Sequence, residues 1–348
     1  MTVTAERPPT APSSTKLIEL EAISRSFRTP LGDVNAVDRV SLAFDAAEVL
    51  CIVGESGCGK TTTGRLLAGL LRPTGGRLLF EGQDVWQTKG AALKRFRKAV
   101  QLVHQDPYAS LNPTRTVAQT LLAPLQHHRR VKGARAARAA ATELLERVGL
   151  VPAADFLAKY PHQLSGGQRQ RVSIARALTV EPRVIVADEA VSMVDVSIRI
   201  SLLNLLLSLR REFGVTIVLI THDLAVARFF AREGRIAVMY LGRVVELGPT
   251  EKLVVDPAHP YAEALIAAIP EADPTITRTK ERVPLRSAEV PSLLDLPPGC
   301  TFHPRCPRFE PGLCDVVRPD LTAIPGDREV ACHPAVRERT GKPTADGT

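Results

Sequence analysis

The stretch Gly54-Glu55-Ser56-Gly57-Cys58-Gly59-Lys60-Thr61 constrains this chain more than any other. It fits G-x-x-x-x-G-K-[ST] at every fixed position and comes at once after the apolar run Val49-Leu50-Cys51-Ile52-Val53. A helical pattern from Lys60 to Leu71, with Thr62 in its first turn, comes directly after. Strand, glycine loop and helix in that order open a nucleotide-binding α/β unit. The glycines let the backbone curl so that successive N–H groups face phosphate oxygens, and the helix turns its positive N-terminal end to the same charge. In such a loop Lys60 reaches the β- and γ-phosphates and the Thr61 hydroxyl ligates Mg²⁺. Residues 54–62 are therefore expected to hold ATP.

Farther on, Arg183-Val184-Ile185-Val186-Ala187-Asp188-Glu189 sets a pair of carboxylates at the end of a second apolar strand. Taken alone, an Asp-Glu turn is common at a surface. Coupled to the glycine loop, Asp188 is expected to hold Mg²⁺ and Glu189 to orient or deprotonate the attacking water. A third apolar run, Thr216-Ile217-Val218-Leu219-Ile220, ends at Thr221-His222-Asp223. Charge that builds on the γ-phosphoryl oxygens must be met by donors, and His222 stands at the right edge of the sheet to contact them.

The runs at 184–187 and 216–220 are both continuous, as in parallel strands covered on two faces. Ile236–Tyr240 and Arg243–Leu247 flank Leu241-Gly242 and read as a hairpin. From about 106 to 178 the pattern is helical, so a β/α core is interrupted by a helical insert and then resumed. Beyond Pro270, residues such as Pro274, Pro284 and Pro291 mark a change of composition, and a domain boundary is expected near 250–270. No internal repeat is evident. In a chain of 348 residues that is 45% apolar but only 4% aromatic, aliphatic side chains must supply most of the core.

The formal charge of +8 raises nucleic acid or an anionic membrane as partners. Its clusters, at Lys94, Arg95, Arg97 and Lys98 and between Arg129 and Arg138, lack interleaved aromatics and suit solvated helix faces. No apolar run is long enough to span a bilayer, and residues 1–16, rich in Thr, Pro and Ser, do not form a signal peptide. A cytoplasmic chain is expected, with any membrane role carried by partners.

Leu164-Ser165-Gly166-Gly167-Gln168-Arg169-Gln170-Arg171 is a second glycine turn ahead of a helical pattern, hence a second anion site. One chain with one nucleotide scarcely needs two, unless the second closes over the ATP of a neighbouring chain. With these residues the sequence resembles the ATP-binding cassette (ABC) transporter ATPases. More narrowly it is similar to those of oligopeptide/dipeptide-type importers, a group that includes nickel and some oligosaccharide systems. The likeness covers roughly residues 17–335.

The resemblance implies an α/β P-loop NTPase cassette: a RecA-like core, an antiparallel β subdomain, an inserted α-helical subdomain and a small Cys-containing C-terminal extension. The corresponding boundaries are a tail at 1–16, the ATPase at 17–255 with its insert at about 106–178, the extension at 256–336 and a second tail at 337–348. It implies a head-to-tail pair with a second ABC ATPase, like or unlike, in which Ser165 and Gly167, with Gly166 and Gln168, address the partner's γ-phosphate. Two membrane permeases and an extracytoplasmic solute-binding protein complete the implied assembly at the cytoplasmic face of the membrane, with no nucleic acid. Gln105 matches the loop glutamine that touches Mg²⁺ and water and reports to the permeases; Phe27 matches the aromatic that stacks on adenine, the alternative being a core Phe; Asp195 matches a residue that senses the opposite site. Ala190 stands where the family usually has Pro, Ser192-Met193-Val194 replaces the usual Ser-Ala-Leu, and His104 replaces an apolar or aromatic residue. None of these departures removes a phosphate, metal or proton-transfer group.

Ala258-His259-Pro260-Tyr261 resembles the start of the extension found in peptide-type importer ATPases. Beyond it, Cys300, Cys306, Cys314 and Cys332 fit C-x₅-C-x₇-C-x₁₇-C, while Cys51 and Cys58 lie in the core strand and the loop. Gathered cysteines in a cytosolic chain point to metal. Zinc favours tight C-x₂-C pairs, which are absent, although His303 and His333 keep it open; four thiolates suit a [4Fe–4S] cluster, which similar extensions in the family carry. Unmetallated packing is the third reading. The leading function is thus an ATP-driven motor for import of peptides, nickel or oligosaccharides. Its rivals are a soluble cassette ATPase acting on nucleic acid and a non-hydrolysing ATP-binding regulator, and intact Glu189 and His222 argue against the regulator.

Overall fold

A computed structural model describes residues 16–128, 131–192, 194–269 and 283–341. Arg129, Met193, Pro270, Pro274, residues 1–15 of the expected tail at 1–16 and the end of the chain from 342 lie outside the described residues.

The first half of the chain begins as an antiparallel hairpin, β1 (Ile18–Thr29) against β2 (Gly32–Phe44), which joins β4 (Gly75–Phe80) and β5 (Gln83–Asp84) in a four-stranded sheet of order β2-β1-β4-β5. Between them β3 (Val49–Val53) enters a second, eight-stranded sheet. That sheet also holds β6 (Val100–Val103), β7 (Val184–Asp188), β8 (Thr216–Thr221), β9 (Arg235–Tyr240), β10 (Arg243–Pro249), β11 (Thr322–Ile324) and β12 (Arg328–Val330), in the order β11-β12-β10-β9-β3-β8-β7-β6. Strands β9, β3, β8, β7 and β6 run parallel.

Every residue of β3, β7 and β8 is buried, as the continuous apolar runs require. Because side chains alternate across a strand, each run feeds two cores. Val49, Cys51 and Val53 pack with Ile185, Ile217 and the helical insert; Leu50 and Ile52 pack with Val186, Val218 and the antiparallel sheet. The expected hairpin forms between β9 and β10, and its turn residues Leu241 and Gly242 both take positive φ, the geometry a tight two-residue turn demands.

Between β6 and β7 the chain is helical, with Val117–His128, Ala134–Arg147 and Gly166–Leu178 as its longest members. The first core helix is shorter than its pattern suggested, Lys60–Leu67. Strand β12 pairs with β10 through Glu246↔Val330 and Leu247↔Glu329, so the extension widens the main sheet. Its last helix, His333–Thr340, continues past the expected boundary at 336.

Candidate functional site

Sheet order explains why residues distant in sequence meet. Strands β3, β8, β7 and β6 are neighbours with their carboxyl ends on one side, and just past those ends stand Gly54, His222, Glu189 and His104-Gln105 respectively. In open α/β sheets that edge is where ligands bind.

The loop after β3 is shaped by its glycines. A Cβ on Gly54 would fall on the Met239 carbonyl oxygen, and one on Gly59, whose φ is 101°, would fall on the Ala36 carbonyl oxygen. Only glycine allows both approaches. Gly59 then caps the helix that begins at Lys60. Lys60 is 4% exposed and donates from Nζ to the Gly54 and Glu55 carbonyls, 2.8 Å each, closing the loop like a clasp. Ser56 and Gly57 are exposed, Cys58 is buried, and burial pushes the Cys58 thiol up. Thr62 is half-buried in the helix's first turn.

Thr61 donates from Oγ1 to Asp188 Oδ1 at 3.0 Å. Asp188 is 5% exposed; burial raises its carboxyl above the usual range, the Thr61 hydrogen bond opposes that rise, and the neighbouring Glu189 charge adds to it. A desolvated carboxylate beside a hydroxyl, both lining a cavity of about 450 Å³ with Gln105 and His104, suits a divalent cation. His104 itself is shifted down by burial and by the Arg176 charge.

Glu189 is gripped from two sides. Gln105 Nε2 donates to Glu189 Oε2 at 2.9 Å, and His222 Nδ1 lies 3.3 Å from Glu189 Oε1. Glu189 also takes a φ of 45°, while its backbone N–H is donated to the Ile220 carbonyl at 2.9 Å. A non-glycine residue in that region costs on the order of 1–3 kcal/mol and persists where surrounding contacts over-determine it. Ser192 Oγ, not anticipated from sequence, accepts from Gln105 at 3.5 Å and donates to the Glu189 carbonyl at 2.9 Å.

Ser165 caps the helix Gly166–Leu178: its Oγ accepts from Gln168 N–H at 3.3 Å, and its own N–H is donated to Gln168 Oε1 at 3.0 Å. Gly167 packs so tightly on Ile198 that a Cβ would meet Ile198 Cγ2 at 2.6 Å. None of residues 165–168 lines the cavity at Thr61 and Asp188. Asp195 begins the helix Val196–Phe213 without capping it through its side chain. Phe27 is half-buried on β1, outside the core, with the Arg25 guanidinium 4.8 Å from its ring centroid.

In the extension, Cys300, Cys306, Cys314 and Cys332 all line one small cavity of about 10 Å³, as do His259, His303 and His333. Burial pushes Cys306 up to about 11 and Cys332 up to about 12. Among the described residues no group of three or more His, Cys, Asp or Glu side chains is arranged to hold a metal ion. No helix among them is long and apolar enough to cross a membrane.

Comparison with known proteins gives two family matches: ABC transporter over residues 37–192, and oligopeptide/dipeptide transporter, C-terminal region, over residues 245–314. A probable peptide ABC transporter ATP-binding protein of Sinorhizobium fredii is 45% identical over 327 residues, covering 92% of this chain and 90% of that one. The dipeptide transport ATP-binding protein of Escherichia coli is 44% identical over 310 residues, covering 89% and 90%. Among solved structures, an ATP-binding cassette in a dimeric post-hydrolysis state with ADP and Pi superposes with a TM-score of 0.61 at 30% identity, over 67% of this chain and 98% of that one.

Proposed function

The chain belongs to the ABC transporter ATP-binding proteins with an oligopeptide/dipeptide-type C-terminal region, and from that membership we propose that it is the ATP-hydrolysing subunit that energises a peptide importer. The single observation that carries the catalytic part is the grip of Gln105 and His222 on Glu189, one residue from the Thr61–Asp188 pair.

In this reading N–H groups of residues 56–61 wrap the phosphates while the Glu55 N–H stays on Tyr261 Oη, and Lys60 leaves the Gly54 and Glu55 carbonyls for phosphate oxygens. Phe27 stacks on adenine. Thr61, Asp188 and Gln105 hold Mg²⁺, which when bound neutralises phosphate charge. Glu189 orients the attacking water and takes its proton, while His222 meets the γ-phosphate. Ser165, Gly166, Gly167 and Gln168 serve the nucleotide of a second cassette, and Asp195 senses that opposite site. The test is Glu189→Gln: nucleotide affinity should survive while turnover drops by about 10² or more. Near-normal hydrolysis in that variant would refute the assignment.

Transport requires partners. A groove of about 1100 Å³ lies beside the site, lined by Lys94, Arg95, Lys98, Arg115, His128 and Arg176 among others. It joins the core to the helical insert, and its lining residue Ser110 also borders the cavity that holds Gln105. That continuity supports the reading that one of the two membrane permeases seats here, with the chain at the cytoplasmic face of a membrane. Co-purification of hydrophobic permease chains checks it, and binding of DNA or RNA at physiological salt would count against it.

The four extension cysteines are proposed to hold a [4Fe–4S] cluster as a structural staple. Four thiols and no carboxylate line the shared cavity together with His259, His303 and His333, and it is the thiol count that favours this reading. At about 10 Å³ the cavity has room for about one water, so the thiols must part to admit the cluster. A colourless, iron-free protein after anaerobic purification would end the proposal.

A further inference from the structure

The phosphate loop is also held from the far end of the chain. Three groups of Glu55, its N–H, its C=O and its carboxylate, each have a different partner. The N–H is donated to Tyr261 Oη at 2.9 Å, and the carbonyl accepts from Lys60 at 2.8 Å and from the Cys58 N–H at 3.3 Å. The carboxylate takes a forked contact from Arg305: Nη1 to both oxygens at 3.2 and 3.0 Å, and Nη2 to Oε1 at 3.2 Å. Tyr261 and Arg305 both lie beyond residue 255, outside the part of the chain that supplies the strand ends.

Both are built in firmly. Arg305 is 6% exposed, and its Nη1 also reaches Tyr240 Oη at 3.4 Å. Tyr240 packs on Tyr261 with centroids 4.6 Å apart and on Phe302 at 5.2 Å, edge to face. A planar guanidinium meeting a carboxylate two-pronged fixes direction as well as distance.

A carboxylate in an anion cradle is an electrostatic liability, because it repels the phosphates that the N–H groups attract. When nucleotide binds and Lys60 turns toward it, the Lys60 contact to Glu55 is given up, and Tyr261 and Arg305 remain as the anchors from outside the loop, beside the Cys58 N–H on the Glu55 carbonyl. We propose that Arg305 is a positioning residue of the nucleotide site, holding the phosphate loop through Glu55 and cancelling that carboxylate's charge beside the phosphates. The extension is then part of the ATP site. This rests on the reading of residues 54–61 as the phosphate cradle.

The test uses the full chain and a fluorescent ATP analogue, with steady-state ATPase and amide exchange of residues 49–63 as further readouts. R305M should weaken nucleotide binding about ten-fold, and R305K, which keeps the charge but loses the fork, about three-fold. The KM for ATP should rise by a larger factor than kcat falls, and exchange in residues 49–63 should quicken in both variants. Adding E55Q to R305M should recover most of the lost affinity. The Kd of the unaltered chain reports on the cradle reading itself, whereas the ratio of variant to unaltered chain reports on Arg305. A folded R305M with unchanged Kd overturns the proposal, and a double variant as weak as R305M overturns the charge-cancelling role. Should R305M not fold, R305K decides: unchanged Kd and unchanged exchange overturn it.

Discussion

Glu246 offers a direct measure of how the extension is joined to the cassette. It sits in β10 with no exposed surface, and its carboxylate accepts N–H groups from Ala258 at 3.0 and 3.1 Å and from His259 at 2.8 Å. Burial pushes its carboxyl from an ordinary 4.5 up to about 7, against the pull of those two N–H groups and of the Arg328 and Arg339 charges. The unfolded chain releases this proton near 4.5, and the folded chain holds it to about 7. Stability from this group is therefore full below the unfolded value and is lost as pH rises through the folded one. Over that window the loss is about 3 kcal/mol. Glu246→Gln keeps the shape and cannot ionise, so it supplies the reference. His259, pushed down to about 3 by burial, works in the opposite sense below its ordinary 6.5, and it is present in both proteins, so it subtracts out. Denaturation of both proteins should show the native chain losing about 3 kcal/mol relative to the Gln variant between about pH 4.5 and pH 8. A difference that is flat, or that grows in favour of the native chain, would mean that the N–H groups and arginines outweigh desolvation, and the reasoning fails.

Phe302→Ala should cost about 3–5 kcal/mol, because the ring is fully buried between Tyr240, Tyr261 and His259; the melting temperature and protease sensitivity beyond residue 269 report it. Gly59→Ala places a methyl on the Ala36 carbonyl at a φ of 101° and should abolish nucleotide binding while destabilising the chain by about 1–3 kcal/mol, read by analogue fluorescence and a thermal melt.

What could be read from sequence was what a short stretch of chain decides. The loop at 54–61, the acid pair after β7 and the histidine after β8 each carry their own strand and turn, so type and spacing locate them. The grip of Gln105 on Glu189 needed β6 to lie beside β7, a pairing between strands more than 80 residues apart in sequence. The cluster Lys94, Arg95, Arg97 and Lys98 read as a solvated helix face and lies on the helix Gly90–Ala99, whose ends the charges alone did not mark. Strands β11 and β12, three residues each, are too short to show a period, and only their pairing with β10 gives them a sheet. Nothing local links Glu55 to Arg305, since an ion pair across 250 positions leaves no pattern in either neighbourhood.

The β10–β12 pairing also bears on how the molecule can be cut. A fragment ending at 255 would strip β12 away and leave β10 as an open rim, with the backbone groups of Glu246 and Leu247 bare toward solvent. Such a rim invites another copy to zip onto it, so the fragment should clump on expression, and solubility would track whether residues 328–330 are retained.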